Sequence, residues 1–84
     1  MKVIKINAKV KEKQKKTVYL ITDFIRLDAA LKLGDAVQSG GHAKIVIQDG
    51  EVKVNGEVCT QRGKKIHPGD NFQFENVIYE AVKK

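Results

Sequence analysis

At 84 residues, with 42% hydrophobic and 31% charged side chains, the chain is sized and composed for one folded domain rather than a disordered segment. No apolar run approaches the roughly 18 residues of a membrane-spanning helix, and the opening MKVIKINAKVKEK lacks a signal peptide's apolar stretch. The single cysteine, Cys59, excludes an internal disulfide and fits a reducing cytosol, while 16 Lys and Arg against 10 Asp and Glu leave a net charge of +6.

That charge attracts phosphate polymers or anionic surfaces, or simply keeps a small protein in solution. The arrangement of the basic residues has to decide between these.

Residues 2–10 alternate lysine or asparagine with apolar side chains, so that Ile4, Ile6, Ala8 and Val10 share one side of an extended chain. Period two predicts a half-buried strand. The run KEKQKK, residues 11–16, has no apolar anchor and reads as a solvated loop, with a mobile basic arm as the alternative. Thr17 to Ile21 is β-branched and aromatic, a second strand that would pair with the first. A first helix begins between Thr22 and Leu27, since Thr22 and Asp23 are both acceptable N-caps. It buries Leu27, Ala30 and Leu31 and ends at Gly34 in the left-handed C-terminal position.

Ser39 caps a second helix, in which Ala43, Ile45, Val46 and Ile47 supply apolar bulk before Gly50 stops it. Gly40 and Gly41 in its first turn are poor helix formers, costing up to about 1 kcal/mol each relative to Ala in an interior. Such a cost calls for the close approach of another backbone. Next, Val52 and Val54 alternate into Asn55-Gly56, a type I′ hairpin signal, with Val58 on the return strand. His67-Pro68-Gly69-Asp70 makes a turn, Phe72 and Phe74 alternate on a strand, and Glu75-Asn76 turns into residues 77–82, which close the sheet. The expectation is a single α+β domain over residues 1–84: two short helices packed on a small, mostly antiparallel sheet, with an extra N-terminal strand pair.

Residues 26–56 run without a gap through Arg26-Leu27-Asp28, Leu31, Ser39-Gly40-Gly41-His42-Ala43-Lys44, Ile47, and Gly50-Glu51-Val52-Lys53-Val54-Asn55-Gly56. In this the chain resembles the S-four-type RNA-binding domain, or alpha-L motif, named after a small-subunit ribosomal protein. Arg62-Gly63-Lys64-Lys65 and Pro68-Gly69-Asp70 fit the same pattern. Together with Ser-Gly-Gly-x-Ala-Lys, they are similar to its small stand-alone bacterial members. The core motif would span residues 26–74, with residues 1–21 as an N-terminal strand extension outside the pattern. Two positions depart from it. Gly40 stands where the broader family carries an arginine, and Lys44 stands where it carries a second.

A helix N-terminus offers backbone N–H groups to phosphate, and Ser39, Gly40 and Gly41 would leave them unobstructed, with Lys44 one turn further on. The resemblance implies that this helix and the following hairpin form one RNA-binding surface. His42, on its own account a cap-region surface residue, falls inside it. Lys53 points to the strand face opposite Val52 and Val54. Arg62, Lys64 and Lys65 would extend the surface and Lys32 would flank it. For each lysine the plain alternative is a solvated side chain. Arg26 is poorly placed for the dipole at a helix start, so it either pairs with Asp23 or Asp28 or faces RNA.

His42, His67 and Cys59 have no metal-ligand spacing, so neither a metal nor a cofactor is expected. No catalytic arrangement is legible either, and Cys59 reads as a half-buried strand residue. The aromatics are Tyr19, Phe24, Phe72, Phe74 and Tyr79. The strand phenylalanines read as core, which argues for recognition of structured RNA by shape and phosphate rather than a base-stacking platform. The resemblance implies an RNA-binding protein that acts on ribosomal RNA or a ribosomal subunit in assembly or translation. The residues add the expectation of a cytoplasmic protein that is not an enzyme and has no membrane partner, with its oligomeric state open and a monomer favoured. Two alternatives stay open: a protein-interaction module that kept the fold and lost the RNA, and a DNA binder.

Overall fold

The computed structural model describes residues 14–84. The strand expected over residues 2–10 and the start of the charged loop, residues 11–13, lie outside the described residues. In chain order the elements are β1 (Gln14–Leu20), β2 (Ile25–Arg26), α1 (Leu27–Leu33), α2 (Gly40–Gln48), β3 (Val52–Val54), β4 (Glu57–Val58), β5 (Lys65–Ile66), β6 (Asn71–Phe74) and β7 (Val77–Lys83). Five strands form a sheet in the order β1-β7-β6-β3-β4, and β2 with β5 makes a separate two-stranded ribbon. Among the described residues, every pairing is antiparallel except β1 with β7, which is parallel.

Alternation along the strands sorts this sheet into two faces. Val52, Val54, Phe72, Phe74, Tyr79 and Ala81 are buried on one of them, joined by Val18 and Leu20 from β1. Leu27, Ala30 and Leu31 of α1 and Ala43, Val46 and Ile47 of α2 complete the same core cluster. Helices of seven and nine residues are too short to hold alone in water, so this burial is what keeps them folded. Phe72 and Tyr79 are register partners, and their rings stack 5.0 Å apart, 8° from parallel. Burial pushes the Tyr79 phenol above its ordinary pKa, with Glu75 and Asp35 adding to the shift.

Several sequence expectations change here. β1 starts at Gln14, so Gln14 to Lys16 belong to a strand and not to a loop. β1 pairs with β7, from the other end of the chain, a neighbour the sequence did not suggest; the expected pairing of β1 with a strand over residues 2–10 lies outside the described residues. β7 accordingly sits inside the sheet instead of closing it. Ile45 is 58% exposed and adds nothing to the core. Helix α1 starts at the late end of its expected range, with Arg26 as an N-cap that makes no side-chain cap bond. Thr22 Oγ1 instead donates to the Phe24 carbonyl at 2.8 Å, and Asp23 pairs with Lys83 at 3.0 Å. Gly34 has φ −86° rather than a left-handed conformation; the left-handed residue is Asp35, at φ 60°. Cys59 is half-buried, but it follows β4 and is not in a strand.

The turns follow their chemistry. Asn55 and Gly56 both have positive φ, 51° and 89°, as a type I′ hairpin between β3 and β4 requires. The Asn55 side chain then ties this hairpin to β6, donating to Asp70 Oδ1 at 3.2 Å and accepting from the Asn71 N–H at 3.0 Å. In the Pro68-Gly69 turn, the second Asp70 oxygen accepts the His67 N–H at 2.8 Å. That backbone hydrogen bond holds the Asp70 carboxyl below the usual carboxylate range; desolvation opposes it, and the Asn55 amide and the neighbouring His67 reinforce it.

A lowered folded-state pKa means that the ionised form is what the turn stabilises. Its contribution is present above the unfolded aspartate pKa of about 4 and fades as pH falls through the lower folded value. Asp70→Ala is expected to cost about 1–2 kcal/mol at pH 7 and to flatten the acid limb of stability below about pH 4. Urea titrations of both proteins at pH 7 and pH 3 check this, and an equal loss at both values would contradict it.

Candidate nucleic-acid interface

The two helices begin differently, and the difference locates the candidate site. At α2, Ser39 is extended (φ −150°, ψ 164°) and its Oγ accepts the His42 N–H at 3.1 Å. The Ala43 N–H bonds back to the Ser39 carbonyl at 3.0 Å. Helix geometry leaves the N–H groups of Gly40 and Gly41 without intrahelical acceptors. Among the described residues, a Cβ built at Gly40 would meet nothing within 4 Å, and one at Gly41 only the Ser39 Oγ, at 3.9 Å. No other described part of the chain therefore comes close at the glycines, as the sequence suggested it would; both are exposed and leave the helix end open. No acidic residue lies in this first turn, so no side chain of the turn itself offsets the positive end of the helix dipole. Lys44 is exposed one turn along.

At α1 the chain supplies its own acceptors. The Leu27 N–H donates to the Lys64 carbonyl at 2.8 Å, and the Asp28 N–H to the Arg62 carbonyl at 3.2 Å. These bonds lay the segment holding Arg62, Lys64 and Lys65 across the start of α1, and the β2–β5 register sets Arg26 directly opposite Lys65. Arg26 pairs with Asp28 at 3.1 Å, while Asp28 also accepts the Ala29 N–H at 2.8 Å. At such exposure the pair stabilises the fold by about 1 kcal/mol at most. Its larger consequence is to hold the guanidinium at the ribbon surface.

All the candidate positions are exposed: Arg26, Lys32, Ser39, Gly40, Gly41, His42, Lys44, Lys53, Arg62, Lys64 and Lys65. They fall into two groups, one at the start of α2 and one on the ribbon and the segment that covers α1. Lys32 belongs to neither, lying in the last turn of α1 where a cation suits the dipole. Lys53 lies between buried Val52 and Val54, and so on the sheet face turned away from both helices. Beside the β3–β4 hairpin is an open groove of about 350 Å³, lined by Val54, Val58, Cys59, Thr60, Lys64 and the acidic Glu57 among others. Among the described residues, no group of three or more His, Cys, Asp or Glu is placed to hold a metal ion, and no helix is long and apolar enough to cross a membrane.

A family model for the S4 domain matches residues 18–82. The chain belongs to the S4 domain family. It is 44% identical over 54 residues to "Probable ribosome maturation protein RlbA" of Bacillus subtilis (strain 168), an alignment covering 64% of this chain and 76% of that protein. It is 38% identical over 58 residues to "Putative RNA-binding protein YbcJ" of Escherichia coli (strain K12), covering 69% and 83% of the two chains. The "Uncharacterized protein YbcJ" of Shigella flexneri matches to the same extent.

The S4 domain match takes in every candidate position and also an aromatic that the sequence reading passed over. Phe72 and Phe74 are core as expected, but Phe24 is 40% exposed. Lys65 Nζ lies 4.8 Å from its ring centroid, and the His67 ring centre is 5.7 Å away, tilted by 49°. Phe24 precedes a two-residue strand, too short for any period to reveal. The available signal was pairing: with Ile25 opposite Ile66 and both facing inward, Phe24 and His67 fall on the outward side.

Proposed function

We propose that this S4 domain binds structured RNA, ribosomal RNA in particular, and acts in ribosome assembly or maturation. The bare start of α2 carries the reading: two glycine N–H groups, a capping serine, no acidic residue in the first turn, and Lys44 one turn on. A phosphate seated there gains hydrogen bonds and the helix dipole together. The names of the two relatives, one a ribosome maturation protein and one an RNA-binding protein, point the same way. On this reading, backbone N–H groups stand in at Gly40 for the arginine of the broader family, as part of an alpha-L motif whose second surface is the segment holding Arg62, Lys64 and Lys65. Lys32 flanks the first group, and Lys53 takes part only for an RNA that also reaches the outer sheet face. Binding of this kind requires no catalytic group.

Salt titration tests the proposal. Binding to a structured ribosomal RNA fragment, followed by fluorescence anisotropy, should weaken with a log–log slope of about −0.7 to −0.9 per phosphate contact. Lys44→Ala is expected to lower affinity about fivefold and to reduce the slope by about one contact. An unchanged affinity and slope would remove Lys44 from the site. The exposed Ile45, on the same helix as Lys44, favours the second reading, a protein-interaction module on the same fold. Partners that stay bound after ribonuclease treatment in a pull-down would support that reading over RNA.

A further inference from the structure

The β2–β5 ribbon presents an aromatic and three basic side chains on one outward face. Its register sets Ile25 against Ile66 and Arg26 against Lys65. Ile66 is fully buried and Ile25 half-buried, so the alternate residues Phe24, Arg26, Lys65 and His67 face outward together. The contacts agree: Lys65 Nζ sits 4.8 Å over the Phe24 ring, and His67 lies beside the same ring. His67 is in turn held by Asp70, Nδ1 to Oδ2, at 3.6 Å.

Two cations directly opposite one another disfavour a ribbon. Here each has a local counterpart, a carboxylate for Arg26 and a ring face for Lys65. The counterpart of Lys65 is the weaker one. At an exposed site a cation–π contact contributes only about 0.5–1 kcal/mol, and the lysine stem is flexible. The ammonium can leave the ring with little loss.

We propose that this face is a subsite for one unpaired nucleotide of the bound RNA, with its base stacked on Phe24. The base takes the place that Lys65 now occupies over the ring, and the released ammonium moves to that nucleotide's phosphate. His67, oriented by Asp70, borders the base, and Arg26 stands one residue along toward the start of α1. The inference rests on the RNA-binding proposal and adds a substrate feature to it: beyond phosphates and shape, the RNA carries an unstacked nucleotide next to its duplex. Aromatic rings among cations suit this because every base has a π-face, so stacking tolerates any sequence.

Two RNA hairpins of identical stem serve as probes, one blunt and one with a three-nucleotide single-stranded 3′ overhang carrying 2-aminopurine. The protein should prefer the overhang hairpin by about 5- to 150-fold, the range of one stacked base, beyond the small gain from added phosphates seen in the salt slope. Phe24→Ala should abolish that preference, so that both hairpins bind alike, and Phe24→Trp should keep it. The 2-aminopurine fluorescence should change on binding the parent and not on binding Phe24→Ala. Thermal melting of each variant checks that this half-exposed position does not unfold the domain. Equal binding of both hairpins, with no effect of Phe24→Ala, overturns the subsite and leaves the RNA-binding proposal standing. Failure to bind either hairpin at low salt overturns both.

Discussion

Gly34→Val is expected to destabilise the domain by about 3 kcal/mol, at the upper end of overpacking penalties, and to lower Tm by roughly 15 °C or more for a chain of this length. Backbone strain is not the reason, because φ at Gly34 is an ordinary −86°. The reason is space. A Cβ there would lie 2.8 Å from Tyr79 Cδ2, 2.9 Å from Cε2 and 3.3 Å from Val18 Cγ2. The Tyr79 ring cannot swing aside, since it is 3% exposed and stacked on the fully buried Phe72. Val18 is fixed in turn by the pairing of β1 with β7.

Thermal and urea unfolding would measure the loss. In a Tyr79→Leu background, which removes the ring, the same substitution should cost at least about 1 kcal/mol less, the coupling expected of residues in contact. Gly63→Ala is the control: a Cβ there meets no described residue within 4 Å and φ is not left-handed, so it should be neutral or slightly stabilising. Equal behaviour of Gly34→Val and Gly63→Ala would mean that the end of α1 does not pack on Tyr79.

Gly34 also marks the limit of what the sequence discloses. A glycine after an amphipathic helix signals a left-handed cap through local chemistry alone. Here the left-handed residue is Asp35, and the glycine is needed because a ring 45 positions later in the chain presses on it. Contacts of that separation have no local signature. The parallel pairing of β1 with β7 was hidden for the same reason: alternation tells a strand which face is apolar but not which strand is its neighbour. Features set within a few residues were legible, including the Ser39 cap, the end of α2 before Gly50, the Asn55-Gly56 turn and the alternation of Phe72 with Phe74.

The candidate site divides along the same line. Ser39 to Lys44 is one continuous motif and could be read directly. The gathering of Arg26 with Lys65, and of Phe24 with both Lys65 and His67, depends on a two-residue ribbon joining segments about 40 positions apart. Ile45 misled because apolar character at helical spacing normally means core. The α1 contact and the sheet occupy only part of the circumference of α2, and Ile45 falls outside it.

Gly40→Asp should change stability and RNA affinity in opposite directions. Gly40 opens α2 where an added Cβ would meet no described residue within 4 Å, and the first turn holds no acidic residue. An aspartate there adds a carboxylate at the positive end of the helix and removes a glycine from its first turn. Stability should rise by about 0.5–1 kcal/mol. If RNA phosphate uses that same positive end, the carboxylate competes for the same N–H groups and repels the ligand, so affinity should fall at least about tenfold at low salt. Gly40→Ala adds bulk without charge and should weaken binding less, whereas Gly40→Arg restores the side chain of the broader family and should tighten it. Melting curves and anisotropy on the same preparations separate the two effects. A more stable Gly40→Asp protein that binds RNA as tightly as the parent would show that the phosphate sits elsewhere, and would shift the site to the ribbon and the segment holding Arg62, Lys64 and Lys65.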